Sequence, residues 1–294
     1  MQEKVLITGI NGFTGIHLEK ALIAQGFDVY GTVVNKSKYL NHICCDITQK
    51  EQVDNVISTI KPDYVIHIAA ISFVGESNAS LIYDVNVIGT ENILQSLVEH
   101  NVKPKKIILA SSATVYGNQG QEILDESMCP RPVNHYGCSK LTMEHMSANY
   151  FDTFDIIITR PFNYTGVGQE GHFLIPKIVN HFKAGKKEIE LGNIHVAREF
   201  NDIGYVVNIY HKLLCSDAKS TIVNLSSNNP IKLLDVIEIM QEIAGYKIEI
   251  KVNPAFVRPN EIKSLAGSTN KLRQITDIET TFSLKDTLVE MYES

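Results

Sequence analysis

The chain has 294 residues, of which 44% are apolar, with a formal net charge of −6 and five cysteines. This length allows a large buried core, in one elaborated domain or two. The acidic balance argues against a nucleic-acid-binding protein, and no apolar run of about 18 residues predicts a membrane span. An odd cysteine count without zinc-ligand spacing, and a start that leads into a strand without a signal-peptide pattern, indicate a cytoplasmic protein without a bound metal.

The first predicted element is a buried strand that leads into a glycine-rich turn. The strand covers Lys4–Thr8, and helical periodicity follows over Ile16–Gln25. A strand, a glycine-rich turn and a helix in this order are typical of a dinucleotide site, where backbone N–H groups and the helix N-terminus bind a pyrophosphate. The residues expected to bind the cofactor here are Gly9, Gly12, Phe13, Thr14 and Gly15.

The second predicted strand, Asp28–Val34, indicates which dinucleotide is bound. Proteins specific for NAD usually place a carboxylate at the end of this strand to bind the ribose 2′-hydroxyl. Here the strand runs into Asn35, Lys36 and Ser37, which could bind a 2′-phosphate instead. We therefore favour NADP(H) over NAD(H) as the cofactor.

Asp46 and Ile47 follow another short apolar stretch and precede a helix predicted over 49–60. The Asp46 carboxylate has two interpretations, and both stay open. It could stabilise the N-terminus of that helix, or it could bind the adenine amino group of the cofactor.

The next buried strand is predicted over Tyr64–Ala70. Its last residues, Ala69 and Ala70, have small side chains that leave room for a cofactor against the backbone. His67 lies inside this apolar run, and we interpret it as a packed core histidine rather than a ligand.

The helix predicted over 85–100 has an apolar surface wider than covering a sheet requires. Together with a helix predicted over 136–150, it could form the interface of a homodimer. The apolar residues concerned are Val87, Ile88, Ile93, Leu94, Leu97 and Val98.

Two further buried strands are predicted to deliver polar residues at their carboxyl ends. Lys106–Ala110 leads to Ser112, and 156–159 leads to Arg160 and Asn163. Ligands of parallel α/β sheets bind at this end of the strands. The alternation of strands and helices predicts an α/β fold with a doubly wound parallel sheet.

Tyr136 and Lys140 are spaced to share one face of a helix. A free tyrosine titrates near pH ~10, and a cation beside it lowers that pKa toward the range useful for proton transfer. Ser112 would supply a hydroxyl that holds a substrate oxygen, so we expect chemistry at a carbinol or carbonyl carbon. The alternative is a half-buried aromatic with a solvated lysine, which the glycine-rich turn upstream disfavours.

The second half of the chain continues with a glycine-rich loop, then helices and short strands. Two arginines there, Arg198 and Arg258, could each bind a diphosphate. On chemistry alone, a surface salt bridge explains either residue equally well.

The chain as a whole resembles the extended short-chain dehydrogenase/reductase family, in particular its nucleotide-sugar branch. The motifs that carry the resemblance span nearly the full length and are specific in combination. They are Gly9, Gly12 and Gly15, Asp46-Ile47, His67–Ala70, Asp84–Thr90, Ser112–Gly117, Tyr136 with Lys140, Arg160–Asn163, and Arg198–Asp202.

The resemblance implies a Rossmann cofactor domain and a smaller α/β C-terminal domain for a nucleotide-diphosphate sugar, often in a homodimer. The cofactor domain would comprise 1–165 with about 200–226, and the sugar-nucleotide domain about 166–199 with 227–294. By position, Ser112, Tyr136 and Lys140 would form the catalytic triad, with Tyr136 and Lys140 also contacting the cofactor. The substrate-binding residues would be Ser72, Val74, Ser112, Asn163, Arg198, Arg258 and Glu261.

Within this branch, short motifs indicate which reaction is favoured. The 4,6-dehydratases carry Thr-Asp-Glu where this chain has Ser112, Ala113 and Thr114, so water elimination is unsupported. GDP-fucose synthases need a cysteine and histidine pair, and no matching cysteine lies near Ser112. The run Ser112–Gly117 is similar to UDP-galactose 4-epimerases, whereas Arg160–Gln169 is more similar to GDP-4-dehydro-6-deoxy-mannose reductases.

The leading hypothesis is therefore an NAD(P)H-dependent reductase of a nucleotide-linked 4-keto-6-deoxy sugar, in activated deoxysugar biosynthesis. A 4-epimerase with bound NAD uses the same triad and is the alternative. A non-catalytic NADP-sensing protein is a third hypothesis, disfavoured because such proteins typically lose the tyrosine or the lysine.

Overall fold

The structure is a computed structural model that describes residues 2–72, 78–256, 264–279 and 281–294. Three residues predicted to bind the substrate, Val74, Arg258 and Glu261, lie outside these ranges. The strands are β1 (Lys4–Thr8), β2 (Asp28–Val33), β3 (His42–Cys44), β4 (Tyr64–His67), β5 (Lys106–Ala110), β6 (Ile123–Leu124), β7 (Ile156–Pro161), β8 (Tyr164–Thr165), β9 (Glu188–Leu191), β10 (Ala197–Arg198), β11 (Asn201–Asp202), β12 (Thr221–Leu225), β13 (Ile231–Lys232), β14 (Glu249–Val252) and β15 (Ser264–Gly267).

The helices lie mostly between these strands, as the alternating pattern predicts. They are α1 (Phe13–Ala24), α2 (Lys50–Ile60), α3 (Ala79–Tyr83), α4 (Gly89–Glu99), α5 (His135–Ala148), α6 (Leu174–Lys183), α7 (Ile203–Leu214), α8 (Leu233–Ala244), α9 (Asn270–Thr276) and α10 (Leu284–Glu293). A π-helical turn covers Asp84–Ile88, and short 3-10 turns cover Ala113–Tyr116 and Pro254–Phe256. None of the helices in the described ranges is both long enough and apolar enough to cross a membrane.

Seven parallel strands form the central sheet, in the order β12-β7-β5-β4-β1-β2-β3. Successive side chains of a strand point to opposite faces, so along β1 Val5 and Ile7 pack on one side and Leu6 on the other. Helices α1 and α7 cover the first face, and α2, α4 and α5 cover the second. This arrangement confirms the predicted doubly wound Rossmann-type α/β sheet.

Short strands and helices of the later part of the chain make up a separate hydrophobic cluster around α6, α8 and α10. Four short strands, in the order β13-β10-β15-β6, form a second small sheet, and β9 pairs with β14. Arg198 lies on β10 of this small sheet. The division into two domains at the predicted boundaries stays a prediction.

The broad apolar surface predicted over 85–100 has an explanation within the chain. Ile93, Leu94 and Leu97 are buried in the core beneath the sheet, because α4 packs against α2 and α5 as well as the strands. Only part of the surface faces outward: Ile88 and Val98 are each 49% exposed. Packing within the chain therefore explains most of this apolar surface, and a homodimer through the exposed remainder stays a prediction.

Candidate active site

The strand order of the central sheet reverses between β1 and β4. In open α/β sheets, a crevice for the ligand opens at the carboxyl ends of the strands at this point. The glycine-rich turn follows β1 on one side of the crevice, and Ala69 and Ala70 follow β4 on the other. Gly9 has a φ of +73°, and a Cβ added there would lie 3.0 Å from the Ala69 Cα, so the two segments touch.

Gly15 allows α1 to pack directly on the turn that precedes it. A Cβ at Gly15 would lie 2.5 Å from the carbonyl oxygens of both Gly9 and Ile10, whereas a Cβ at Gly12 would lie 3.3 Å from the nearest atom, the Gly9 oxygen. Gly12 is the N-cap residue of α1, and the first turn of the helix contains no acidic side chain. The first N–H groups of a helix have no partner within it, so this terminus fits an anionic pyrophosphate.

Phe13 and Thr14 hold the start of α1 against β8. The Phe13 ring stacks on Tyr164 with centroids 6.0 Å apart, and the Thr14 and Tyr164 hydroxyls are 2.8 Å apart. Sequence reasoning gave Tyr164 no role. Burial raises the pKa of its phenol.

Asn35, Lys36 and Ser37 are exposed in the loop after β2. The Ser37 hydroxyl lies 3.4 Å from Nδ1 of His42, whose Nε2 lies 2.8 Å from a Glu19 carboxylate oxygen on α1. The described loop thus presents amide, ammonium and hydroxyl groups where NAD-specific proteins present a carboxylate.

Asp46 makes a local turn rather than a helix cap. Its Oδ1 accepts hydrogen bonds from the backbone N–H of Thr48, at 3.0 Å, and from the Thr48 hydroxyl, at 2.8 Å. Helix α2 begins later, with Gln49 as its N-cap residue. The helix-capping interpretation of Asp46 is therefore wrong. The neighbouring Ile47 is buried, and its carbonyl accepts a hydrogen bond from the Asn92 side chain.

His67 is a buried core histidine, as predicted. Its Nδ1 lies 2.6 Å from the Thr8 hydroxyl and its Nε2 lies 2.8 Å from the Thr90 hydroxyl. Thr90 donates its own hydrogen to the Asn86 carbonyl, so it must accept from His67 Nε2, and Thr8 then donates to Nδ1. Burial lowers the pKa of His67 to about 3, which leaves a neutral ring that joins β1, β4 and α4.

Ser112 follows β5 and is the N-cap of the 3-10 turn that carries Ala113 and Thr114. Its oxygen accepts from the Thr114 N–H at 3.2 Å and from the Thr114 hydroxyl at 2.9 Å. The single Ser112 hydrogen is therefore left to donate elsewhere. Its neighbour is the Tyr136 hydroxyl, and the hydrogen bond between the two acts to lower the pKa of that phenol, against the larger effect of burial.

Tyr136 lies in the first turn of α5, and the net effect of its surroundings on its pKa is opposite to the prediction. Burial raises the pKa of the phenol to about 12, and the hydrogen bond with Ser112 offsets this only in part. Lys140 is not among the groups that shift this pKa, and desolvation of the phenolate is the largest effect. Tyr136 is thus a protonated phenol at neutral pH.

Lys140 is 2% exposed, and its ammonium donates to the Ala110 carbonyl at the end of β5, at 2.6 Å. This contact brings α5 to the same strand end that delivers Ser112. Burial lowers the pKa of Lys140 to about 8, while the Glu144 carboxylate acts in the opposite direction. The structure therefore brings Ser112 into a hydrogen bond with Tyr136, and Lys140 to the strand end that precedes Ser112. The catalytic role of the three residues stays a prediction.

Asn86 connects the catalytic helix to the loop after β4, and sequence reasoning gave it no role beyond a motif position. It is fully buried on the π-helical turn, with its side chain bound to both the N–H and the carbonyl of Ile71, at 2.9 and 3.2 Å. It also donates to the Ser139 hydroxyl, which in turn donates to the Tyr136 carbonyl. The sequence feature that could have identified this residue is an amide side chain among the apolar residues of the motif Asp84–Thr90.

Besides Ser112, three predicted substrate residues lie in the described ranges, each on a different segment of the chain. Ser72 and Asn163 are exposed, after β4 and β7 respectively. Arg198 is half-buried, and its Nη1 donates to the Ala197 carbonyl at 2.8 Å. The next residue, Glu199, is buried and accepts hydrogen bonds from Ser226, Ser227, Asn201 and the Gly267 N–H, which fixes β10 against β15.

A pocket of about 580 Å³ lies between α6, β9 and the Phe256 ring, and the sequence did not predict it. Its wall contains the ammonium groups of Lys177, Lys186 and Lys187 and the carboxylates of Glu188 and Glu190, with His181 beside them. The Lys177 ammonium is 5.0 Å from the centre of the Phe256 ring. Because the two carboxylates offset most of the positive charge, the lining does not favour an anionic ligand.

Comparison with known proteins places the whole chain in one family. A family model described as GDP-mannose 4,6 dehydratase matches residues 6–291. The chain is 35% identical to a GDP-6-deoxy-D-talose 4-dehydrogenase from Aggregatibacter actinomycetemcomitans, over 99% of this chain and 97% of that protein. It is 28% identical to a GDP-6-deoxy-D-mannose reductase from Pseudomonas aeruginosa, over 98% and 95% of the two chains.

A solved structure of RMD from Pseudomonas aeruginosa complexed with NADPH is similar in fold and in sequence. Its TM-score is 0.88 with 26% identity, over 99% of this chain and 98% of that chain. The bound NADPH of that protein and the glycine-rich turn at the crevice here both support a nicotinamide cofactor. This chain belongs to the GDP-mannose 4,6-dehydratase family, within the nucleotide-sugar branch of the extended short-chain dehydrogenases/reductases.

Proposed function

We propose that the protein is an NADPH-dependent reductase that converts the C4 carbonyl of a nucleotide-linked 4-keto-6-deoxy sugar to a hydroxyl. The observation that carries the proposal is the meeting of Ser112, Tyr136 and Lys140 at the carboxyl end of β5, beside the glycine-rich turn. The two relatives named for GDP-6-deoxy sugars support GDP as the nucleotide.

When bound, NADPH supplies the hydride that reduces the carbonyl carbon. The Ser112 oxygen is occupied by Thr114, and its one hydrogen is directed at Tyr136. With a sugar bound, Ser112 would donate this hydrogen to the C4 oxygen instead and polarise the carbonyl. Tyr136 is protonated and gives its proton to that oxygen as negative charge develops there. Lys140 would then stabilise the phenolate left on Tyr136 and would hold the nicotinamide ribose.

The residues beside Ser112 support redox chemistry without elimination of water. A 4,6-dehydratase needs an acid and a base next to its catalytic hydroxyl, whereas Ala113 has no ionisable group and the Thr114 hydroxyl is engaged with Ser112. Membership of a family named for a dehydratase therefore does not extend to that reaction here.

The choice of NADPH rests on the exposed loop after β2. We expect Lys36→Ala to weaken NADPH binding about tenfold, the loss of one charge-assisted contact, and to leave NADH binding unchanged. Titration of NADPH and NADH fluorescence measures both affinities. Lys38→Ala is the matched control, since Lys38 is two residues away with its ammonium over the Tyr39 ring. Equal losses in the two variants would assign the effect to general charge rather than to a 2′-phosphate site.

A 4-epimerase is the second candidate, favoured by the motif Ser112–Gly117. An epimerase returns the hydride it removes, so its cofactor is not consumed. Addition of a GDP-4-keto-6-deoxy sugar with NADPH, followed at 340 nm and by chromatography of the sugar nucleotide, separates the two. The proposal requires one NADPH oxidised for each product formed. Conversion of GDP-hexose epimers without any loss of NADPH would establish the epimerase instead.

A further inference from the structure

The buried surroundings of Lys140 contain a second ionic group that the proposed mechanism does not use. Tyr136, Lys140 and Glu144 follow one another at intervals of four residues, so they line one face of α5. The Glu144 carboxylate binds Arg160 through both oxygens, at 2.9 Å to Nε and 2.6 Å to Nη2, and both side chains are 3% exposed.

The pair connects three elements that surround the candidate active site. Arg160 lies on β7, three residues before Asn163. Its guanidinium lies 4.7 Å from the centre of the Tyr116 ring. Ser111 donates its hydroxyl to the Glu144 Oε1 at 2.5 Å, one residue before the candidate catalytic Ser112. Glu144 thereby holds the catalytic helix against the ends of β5 and β7.

An ion pair is not needed merely to attach a helix to a sheet. Removing two charges from water has a large free-energy cost, and apolar replacements of such pairs are often neutral or stabilising. The neighbouring Lys140 explains why a charged group is useful at position 144. Its ammonium is buried, with the uncharged Ala110 carbonyl as its assigned hydrogen-bond partner. In a medium of low dielectric constant, a carboxylate one helical turn away has a strong effect on a buried cation.

Of the carboxylates on α5 and the elements packed against it, Glu144 is the one whose charge acts on the pKa of Lys140. His67 on β4 is neutral, as its hydrogen bonds and its low pKa require. The phenol of Tyr116 donates to Asn224, and a Glu91 oxygen on α4 accepts from Tyr150 and Gln95. Asp84 on the π-helical turn is a further carboxylate. The remaining groups are phenols: Tyr83 on α3, Tyr136 on α5 itself, and Tyr164 and Tyr210, which interact with Tyr136.

We propose that Glu144, held by Arg160 and Ser111, is a positioning residue that keeps Lys140 in its protonated form beside Tyr136. This role rests on the proposed function of Lys140 in the reductase. It extends the site beyond Ser112, Tyr136 and Lys140 to a second, buried layer of residues that touches neither cofactor nor sugar.

The test measures the titration of Lys140 directly, in the full-length protein without cofactor or sugar. Lysine labelled with ¹³C and ¹⁵N is followed by side-chain NMR from pH 6 to 11, and the Lys140 signal is assigned by its loss in Lys140→Arg. Glu144→Gln removes the carboxylate and leaves Arg160 unpaired. We expect the Lys140 pKa to fall by about one unit or more from its wild-type value.

Two further variants separate a charge effect from damage to the fold. Glu144→Gln with Arg160→Gln removes both charges and keeps hydrogen-bonding groups, so its Lys140 pKa should lie between those of the wild type and the single variant. Glu126→Gln removes a carboxylate that binds the Asn224 N–H in the same region, and it should leave the Lys140 pKa unchanged. Thermal unfolding reports whether each variant is folded.

An unchanged Lys140 pKa in a folded Glu144→Gln protein overturns the proposal and leaves the pair a purely structural contact. If that variant does not fold, the double variant decides: a pKa below the wild-type value supports the proposal, and an unchanged value overturns it. Because no sugar substrate is used, this result stands independently of the reductase assay. A protein without reductase activity could still show the expected order of pKa values. A protein with reductase activity could equally fail to show it.

Discussion

At the scale of single residues, burial controls the chemistry of the candidate active site. The spacing of Tyr136 and Lys140 predicts that they share a helix face, and the structure brings them to the strand end that carries Ser112. The direction of the Tyr136 pKa shift could not be predicted, because it depends on how much water the folded chain removes from the phenol. A protonated Tyr136 suits a reductase, in which this residue must give up a proton.

Replacing Tyr136 by phenylalanine tests its role as the proton donor. General acid catalysis contributes about 10²–10⁴-fold to a rate, so Tyr136→Phe should lower kcat by that factor with little change in the thermal unfolding midpoint. Tyr30→Phe, which removes a phenol from β2 outside the crevice, is the control and should keep full activity. Full activity in Tyr136→Phe would exclude this residue as the acid.

The pKa of Lys140 predicts a limit on activity at alkaline pH. The ammonium is charged below about pH 8 and neutral above it. Reduction that needs this cation should therefore lose kcat/KM as pH rises above about 8. A profile from pH 6 to 10 with saturating NADPH measures it, and a rate that stays constant to pH 10 contradicts a catalytic ammonium.

The lowered pKa of Lys140 also affects stability, and a rise in pH that lowers activity should increase the free energy of unfolding. The Lys140 pKa is about 8 in the folded chain against 10.5 for a free lysine, so between these values the unfolded state binds more protons. Lys140 therefore contributes stability that increases as pH rises from about 8 to 10.5. Urea unfolding of the wild type and Lys140→Met over this range isolates the contribution, and it should vanish in the variant.

At the scale of elements, the glycine-rich turn combines two functions that two substitutions can separate. Gly15→Ala places a Cβ 2.5 Å from two backbone oxygens, so we expect it to destabilise the protein without cofactor by about 1–3 kcal/mol. Gly12→Ala meets its nearest atom at 3.3 Å, and it should mainly weaken cofactor binding at the start of α1. Urea unfolding and NADPH titration measure the two effects, and the same pattern in both variants would contradict this division.

The sequence predicted the long, regular elements well and the short ones poorly. β1 and β5 have the predicted bounds, because apolar β-branched runs between polar residues allow little else. The π-helical turn before α4 and two-residue strands such as β10 and β13 depend on contacts between distant segments, which local periodicity does not contain. The buried amide of Asn86 has its function only through Ile71 and Ser139, both remote in sequence.

At the scale of the whole molecule, we propose a homodimer through the outer surface of α4 and α5. The structure leaves Ile88 and Val98 about half exposed beside α5, each at 49%. We expect the wild type to sediment as a dimer at micromolar concentration, and Ile88→Lys with Val98→Lys to sediment as a monomer, because two charges cannot be buried in an apolar interface without partners. Ile23→Lys with Val34→Lys, at exposed positions of α1 and the loop after β2, is the control and should leave the dimer intact. A monomeric wild type would contradict the proposed assembly.

The central claim is that this chain transfers a hydride from an external cofactor to C4 of a GDP-linked 4-keto-6-deoxy sugar. NADPH carrying deuterium at the transferable C4 position of its nicotinamide tests that claim most directly, with the sugar product analysed by mass spectrometry and proton NMR. We predict one deuterium per product molecule, located at C4 of the sugar and absent from C3 and C5. A product without deuterium, or with deuterium at another carbon, would contradict the account.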